Sequence, residues 1–197
     1  MGRMWRMLLL AVLLVAGAAS AEAGRDGGCA GVVQCLFGTG RQAAAVDQRQ
    51  VVAYAEAARY PVGSIVISTP ERRLYLVLEG GKALRYPVGV GKEGYQWSGT
   101  SKVARKAEWP SWTPPPEMIA RARAEGRFLP DALDGGRNNP LGARALYIGG
   151  TLYRIHGTNQ DASIGYAVSS GCIRMRNDDV IDLYKRVEIG APVYVFQ

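Results

Sequence analysis

The chain reads as a mainly β domain with a few short helices, and three observations predict it. Residues 64–91, "SIVISTPERRLYLVLEGGKALRYPVGVG", hold three alternating or apolar runs separated by turn residues. Residues 146–157, "LYIGGTLYRIHG", form a second such pair around Gly149-Gly150, and "APVYVF" alternates near the end as a closing strand. Helical signals are confined to short stretches, and no internal repeat is present.

The elements follow in order. Arg3 and Arg6 precede an apolar run from Met7 to about Ala19, and Ala19-Ser20-Ala21 offers small residues for cleavage, so residues 1–21 read as a secretory signal peptide. The run is about 13 residues, short of the roughly 20 that a helix needs to cross a bilayer, and no membrane span is expected after cleavage. Removing it leaves about 176 residues, enough for one domain with a proper core, and lowers the formal net charge from +7 to about +5. A moderately basic exported chain suits an anionic polymer such as cell wall, or a membrane surface, but for the charge alone a solvated face is the preferred reading. The basic residues are dispersed without interleaved aromatics, which excludes nucleic acid as a partner.

Residues 22–60 are rich in Gly, Ala, Gln and Arg and read as an N-terminal tether, able to form a short helix over Ala43 to Ala58. The domain proper is expected over 61–197. Ile65 and Ile67 open a meander, Thr69-Pro70-Glu71 turns it, Leu74 to Leu78 returns, and Gly80-Gly81 turns again into Ala83 to Val90. Lys92 to Gly142 reads as a long irregular stretch containing Trp97, Trp109 and Trp112, which either line a groove or pack the loop onto the core. Pro114-Pro115-Pro116 should stop any strand and start a short helix over Glu117 to Ala124. Gly149-Gly150 supplies the positive φ angles of a two-residue hairpin turn. Asn177 is placed as an N-cap, with Asp178 and Asp179 at the positive end of a helix whose Val180, Leu183, Tyr184 and Val187 share a face. Lys185 and Arg186 offset its dipole, and Gly190 ends the segment.

The cysteines carry the chemistry. Cys29 and Cys35 lie close together in a Gly-rich segment and are expected to pair in an oxidising compartment, leaving Cys172 as an odd thiol. Zinc is a poor explanation for it, because the chain has one histidine and no paired Cys/His spacing; no metal or cofactor is expected. A thiol at its usual pKa is only a few per cent ionised at neutral pH, so a catalytic cysteine needs a base, and His156 is the only histidine. Gly171 allows close backbone approach, main-chain N–H groups around Ser170 to Cys172 can face an oxyanion, and Arg174 can bind a carboxylate as a fork. Each has a plain alternative: a packed histidine, a small buried thiol, a surface arginine. Spacing and composition leave these open.

The segments "YRIHGTN", "AVSSGCIRMRNDDVIDLYKRV" and "GAPVYVF" resemble the catalytic signature of the L,D-transpeptidase family, the YkuD-type domain, and "NNPLGARALYIGG" and "GSIVISTPERRLYLV" are similar to the rest of it. The resemblance covers roughly Pro61 to Gln197. It implies a β-sandwich-like domain of mixed sheets, in the periplasm, acting on peptidoglycan stem peptides. Cys172 is then the nucleophile, His156 its base, and Gly157 the third member through its carbonyl. Ser170 and Gly171 map to the oxyanion segment with Cys172, and Arg174 to a substrate-orienting or loop-fixing arginine. Attack on the bond between diaminopimelate and D-alanine would release D-alanine, leave a thioester, and pass the acyl group to an amine of a second stem. Many relatives carry histidine where this chain has Ser170, and some carry serine where it has Gly157. Hydrolysis by the same site, attachment of an outer-membrane protein acceptor, or a non-catalytic wall-binding role are the alternatives; a redox role is disfavoured because C-x-x-C is absent.

Overall fold

The computed structural model describes residues 48–197. The signal peptide and the Cys29–Cys35 pair lie outside them. Eleven strands are present among the described residues: β1 (Gln50–Ala53), β2 (Ile65–Ser68), β3 (Arg73–Leu78), β4 (Lys82–Pro87), β5 (Val90–Gly91), β6 (Gly99–Glu108), β7 (Arg144–Ile148), β8 (Arg154–His156), β9 (Ala167–Ser169), β10 (Ile173–Arg174) and β11 (Pro192–Phe196). Two α-helices accompany them, α1 (Pro116–Ala124) and α2 (Asn177–Arg186). No helix among the described residues is long and apolar enough to cross a membrane.

Nine strands form one mixed sheet in the order β1-β4-β3-β2-β11-β6-β7-β8-β10, parallel at β2–β11 and β8–β10 and antiparallel elsewhere. β5 and β9 make a separate parallel pair. The sheet curls because β6 serves both halves: its first residues pair with β11 and its later ones with β7, with a bulge between Val103 and Arg105. A bulge bends the strand and increases its twist, which lets a sheet fold over itself. Ile65, Leu74 and Leu84 from one half thus share a core with Leu146, Ile155 and Ile173 from the other, and Val180, Leu183 and Val187 on and beside α2 pack into it.

The meander forms as the sequence predicts, with Gly80 and Gly81 at φ of 68° and 69° in its second turn. Five expectations change. Residues 43–58 give no helix where they are described; β1 pairs antiparallel with β4, and a short 3₁₀ turn follows at Ala57–Arg59. Tyr54 stacks on Tyr75 at 4.7 Å and Tyr60 lies against Tyr194, so residues 50–60 cover the outer face of the meander and belong to the domain rather than to a tether. The "irregular" stretch contains β6, a central strand. It escapes pattern reading because "GTSKVARKAE" buries only Val103: the strand is held by hydrogen bonds on both sides, not by an apolar face.

The second hairpin has a longer loop than two residues. Only Gly150 takes a positive φ (68°), and the Thr151 hydroxyl donates to the Ile148 carbonyl while accepting from the Tyr153 N–H. These side-chain bonds replace the tight turn. Finally, Asn177 is not a cap. The residue preceding α2 is Arg176, without a side-chain cap bond, and the Asn177 amide points away into the site loops described next.

Candidate active site

Two short strands build the site. β8 and β10 pair in parallel, with Ile173 opposite Ile155 and Arg174 opposite His156. Ile155 and Ile173 are buried in the core. By the two-residue alternation of strands, Arg154 and His156 on one, and Cys172 and Arg174 beside them, share the opposite face. Stepping the register back by one sets Cys172 next to Arg154, whose charge favours the thiolate. The tertiary pairing therefore brings His156, Arg174 and Cys172 together from segments 16 or more residues apart.

His156 is 4% exposed. Its Nδ1 lies 2.5 Å from the Gly157 carbonyl oxygen, and since a carbonyl only accepts, Nδ1 carries the proton. The neutral ring then keeps Nε2 unprotonated, the tautomer a base requires. Burial pushes its pKa down to about 3; the Gly157 hydrogen bond opposes this, and the Arg174 and Arg154 charges add to the depression. Burial likewise pushes the Cys172 thiol up, against the charge, N–H and guanidinium of Arg154 and the charge of Arg174. The resting pair is a neutral imidazole and a neutral thiol.

The loops are locked from behind. Asn177 Oδ1 accepts from the Ala143 N–H at 2.9 Å, and its Nδ2 donates to the Thr158 carbonyl at 2.8 Å. A Cβ at Gly157 would come within 2.3 Å of Asn177 Oδ1, so the serine that some relatives carry does not fit this arrangement. Gly171 has φ of 107°, and a Cβ there would lie 2.2 Å from the Tyr153 ring and 2.7 Å from the Tyr95 carbonyl. Tyr153 is itself stacked on Trp97 at 5.3 Å, which makes Trp97 a packing residue that braces the cysteine loop. The Gly171 N–H donates to Ser169 Oγ, whose hydroxyl donates to the Cys172 carbonyl at 2.6 Å. That N–H is engaged within its own loop, and Ser170 is exposed beside it.

Sequence reasoning missed Arg154 and Ser169 and gave Asn177 the wrong task. Arg154 was legible: it lies two residues before His156 on a strand, which puts both on one face. Ser169 and Asn177 act through loop contacts that carry no local signal. A groove of about 500 Å³ opens beside the site, lined by Gln160, Ala162, Ser163, Tyr166, Val168 and Arg174. A larger one of about 610 Å³ runs along α2 past Arg49, Asp179 and Asp182 and touches none of the predicted site residues, so only the smaller groove adjoins one of them, Arg174. Among the described residues no group of three His, Cys, Asp or Glu side chains could hold a metal ion.

Residues 63–195 match the family model YkuD, the L,D-transpeptidase catalytic domain. The chain belongs to this family. The probable L,D-transpeptidase YbiS of Escherichia coli K12 is 44% identical over 134 residues, covering 66% of this chain and 43% of that protein. The chain thus spans less than half the length of that relative. L,D-transpeptidase 3 of Mycobacterium tuberculosis shares the YkuD-type fold at a TM-score of 0.54 and 18% identity, covering 70% of this chain and 62% of the other. A solved Brucella melitensis protein described as a probable carnitine operon oxidoreductase is 45% identical, with a TM-score of 0.50, over 74% of this chain and 91% of its own. That description names a redox activity; the family model and YbiS are described by transpeptidation.

Proposed function

We propose that the protein is a periplasmic peptidoglycan L,D-transpeptidase, exported by its N-terminal signal peptide, in which Cys172 attacks a tetrapeptide stem at the bond preceding the terminal D-alanine. The observation that carries this reading is the His156 ring, buried and fixed by Gly157 with Nε2 unprotonated, on the same sheet face as Cys172 and Arg174. A fixed neutral imidazole can take the thiol proton as the Sγ–C bond forms, then return it to the departing D-alanine amine as the C–N bond breaks. The thioester that remains is attacked by an amine of a second stem. His156 accepts the amine's proton, the new amide forms, the C–S bond breaks, and the proton returns to sulfur. One amide replaces another, and no oxidant, metal or cofactor enters the balance.

The developing oxyanion needs donors at the cysteine loop. With the Gly171 N–H bonded to Ser169, the Cys172 N–H is the donor best placed in sequence for this role, with Arg174 beside it for a substrate carboxylate. The groove is lined by Tyr166 and Val168 together with the cationic Arg174, which suits a short peptide ending in a carboxylate.

The test is incubation of the mature chain with a diaminopimelate-type disaccharide tetrapeptide, followed by intact mass and product separation. Loss of D-alanine with dimer formation in the wild type, absent in Cys172→Ala and strongly slowed in His156→Ala, is the expected result. D-alanine loss without dimer would make the enzyme a carboxypeptidase. Full turnover in either variant would remove the nucleophile and base assignments.

A further inference from the structure

One register row crosses three strands on the site face and leads to Cys172. Arg105 on β6 faces Tyr147 on β7, Tyr147 faces Arg154 on β8, and one step back from the Ile155–Ile173 pair Arg154 comes beside Cys172, the residue just before β10. The Tyr147 ring takes the Arg105 guanidinium at 3.6 Å and the Arg154 guanidinium at 5.6 Å from its centroid. A ring face attracts a cation electrostatically, so Tyr147 holds Arg154 in place from the side away from the sulfur. Arg154 is only part-exposed, and its Nε is buried without a hydrogen-bond partner. Among the described residues neither Arg154 nor Arg174 forms a salt bridge with a carboxylate. A half-buried guanidinium with an orphaned N–H and no counter-charge is costly to keep, unless an anion forms next to it during function.

We propose that Arg154 is a catalytic residue whose guanidinium is the counter-charge for the Cys172 sulfur anion. Negative charge develops on the sulfur twice, as His156 takes the thiol proton during attack and as the thioester C–S bond breaks. His156 sits two residues further along β8, so one strand supplies both the proton acceptor and the charge that stabilises what is left behind. The Tyr147 ring completes the setting, and Arg174, opposite His156, is left for the substrate. The inference rests on Cys172 as the nucleophile, but its test needs no peptidoglycan.

The test is alkylation of Cys172 by iodoacetamide as a function of pH, in the wild type, Arg154→Met and Arg154→Lys, each checked by circular dichroism for folding. Only the thiolate alkylates, so the midpoint of the rate profile reports its ionisation. Arg154→Met should move the midpoint up by about one pH unit, slowing alkylation roughly tenfold at any pH below it. Arg154→Lys, which keeps the charge and loses the fork, should recover a large part of that shift. A merely structural arginine would change the rate at all pH values without moving the midpoint. Coincident midpoints in wild type and Arg154→Met, or no recovery in a folded Arg154→Lys, would overturn the proposal. A wild type that alkylates with the expected Arg154 dependence yet fails to cross-link stems would refute the proposed reaction and leave this inference standing.

Discussion

Replacing Asn177 by serine separates two accounts of the same residue. Serine caps helices about as well as asparagine, so if Asn177 only started α2 the change would be close to neutral. The structure assigns it instead two bonds, from the Ala143 N–H at 2.9 Å and to the Thr158 carbonyl at 2.8 Å, and both residues are almost fully buried. A serine side chain is too short to reach both. Each buried backbone group left without a partner costs about 1–3 kcal/mol, and a carbonyl retains a second lone pair, so the sum is about 2–4 kcal/mol. Urea denaturation of the mature chain at pH 7 measures it as a fall in midpoint at unchanged slope. The Gly157 carbonyl that orients His156 lies between these anchors, so the slackened loop should also slow Cys172 chemistry. A loss below about 0.5 kcal/mol in Asn177→Ser would show that the bridge contributes little and would refute the reasoning.

Further outcomes follow from the same site. The folded His156 holds its proton far less well than the unfolded one, so the unfolded state binds more protons between the ordinary imidazole value and about 3. Stability should therefore fall by several kcal/mol as pH drops through that window; urea midpoints at pH 7 and pH 4 measure the fall, and His156→Gln should lack it. Cys172 has the opposite sign: with its thiol pushed up by burial, stability should fall as pH rises past the ordinary thiol range, a trend that Cys172→Ala removes. Gly171→Ala forces a side chain into the Tyr153 ring at a φ of 107° and should destabilise the protein by about 1–3 kcal/mol in the same denaturation assay, with loss of cross-linking.

The sequence by itself determined the candidate groups and the local elements. One histidine, one odd cysteine and the adjoining glycine and arginine pick out the candidate nucleophile and base of the proposed reaction. The alternation of 64–91 fixes a meander, because the two-residue period and the Gly80-Gly81 turn are local facts. The Pro116 start of α1 and the apolar face of α2 are equally local. Tertiary structure alone decided the rest. β6 looks irregular because its side chains are mostly polar and its partners β11 and β7 lie far along the chain. β1 joins the domain through β4 and two tyrosine contacts rather than through any pattern of its own. The parallel register of β8 and β10 is set by the core packing of Ile155 and Ile173, and a parallel pair needs a crossover whose path no short window contains. That register is what puts Arg154 beside Cys172 and Arg174 opposite His156, while Asn177, read as a helix cap, instead holds the loop behind the histidine.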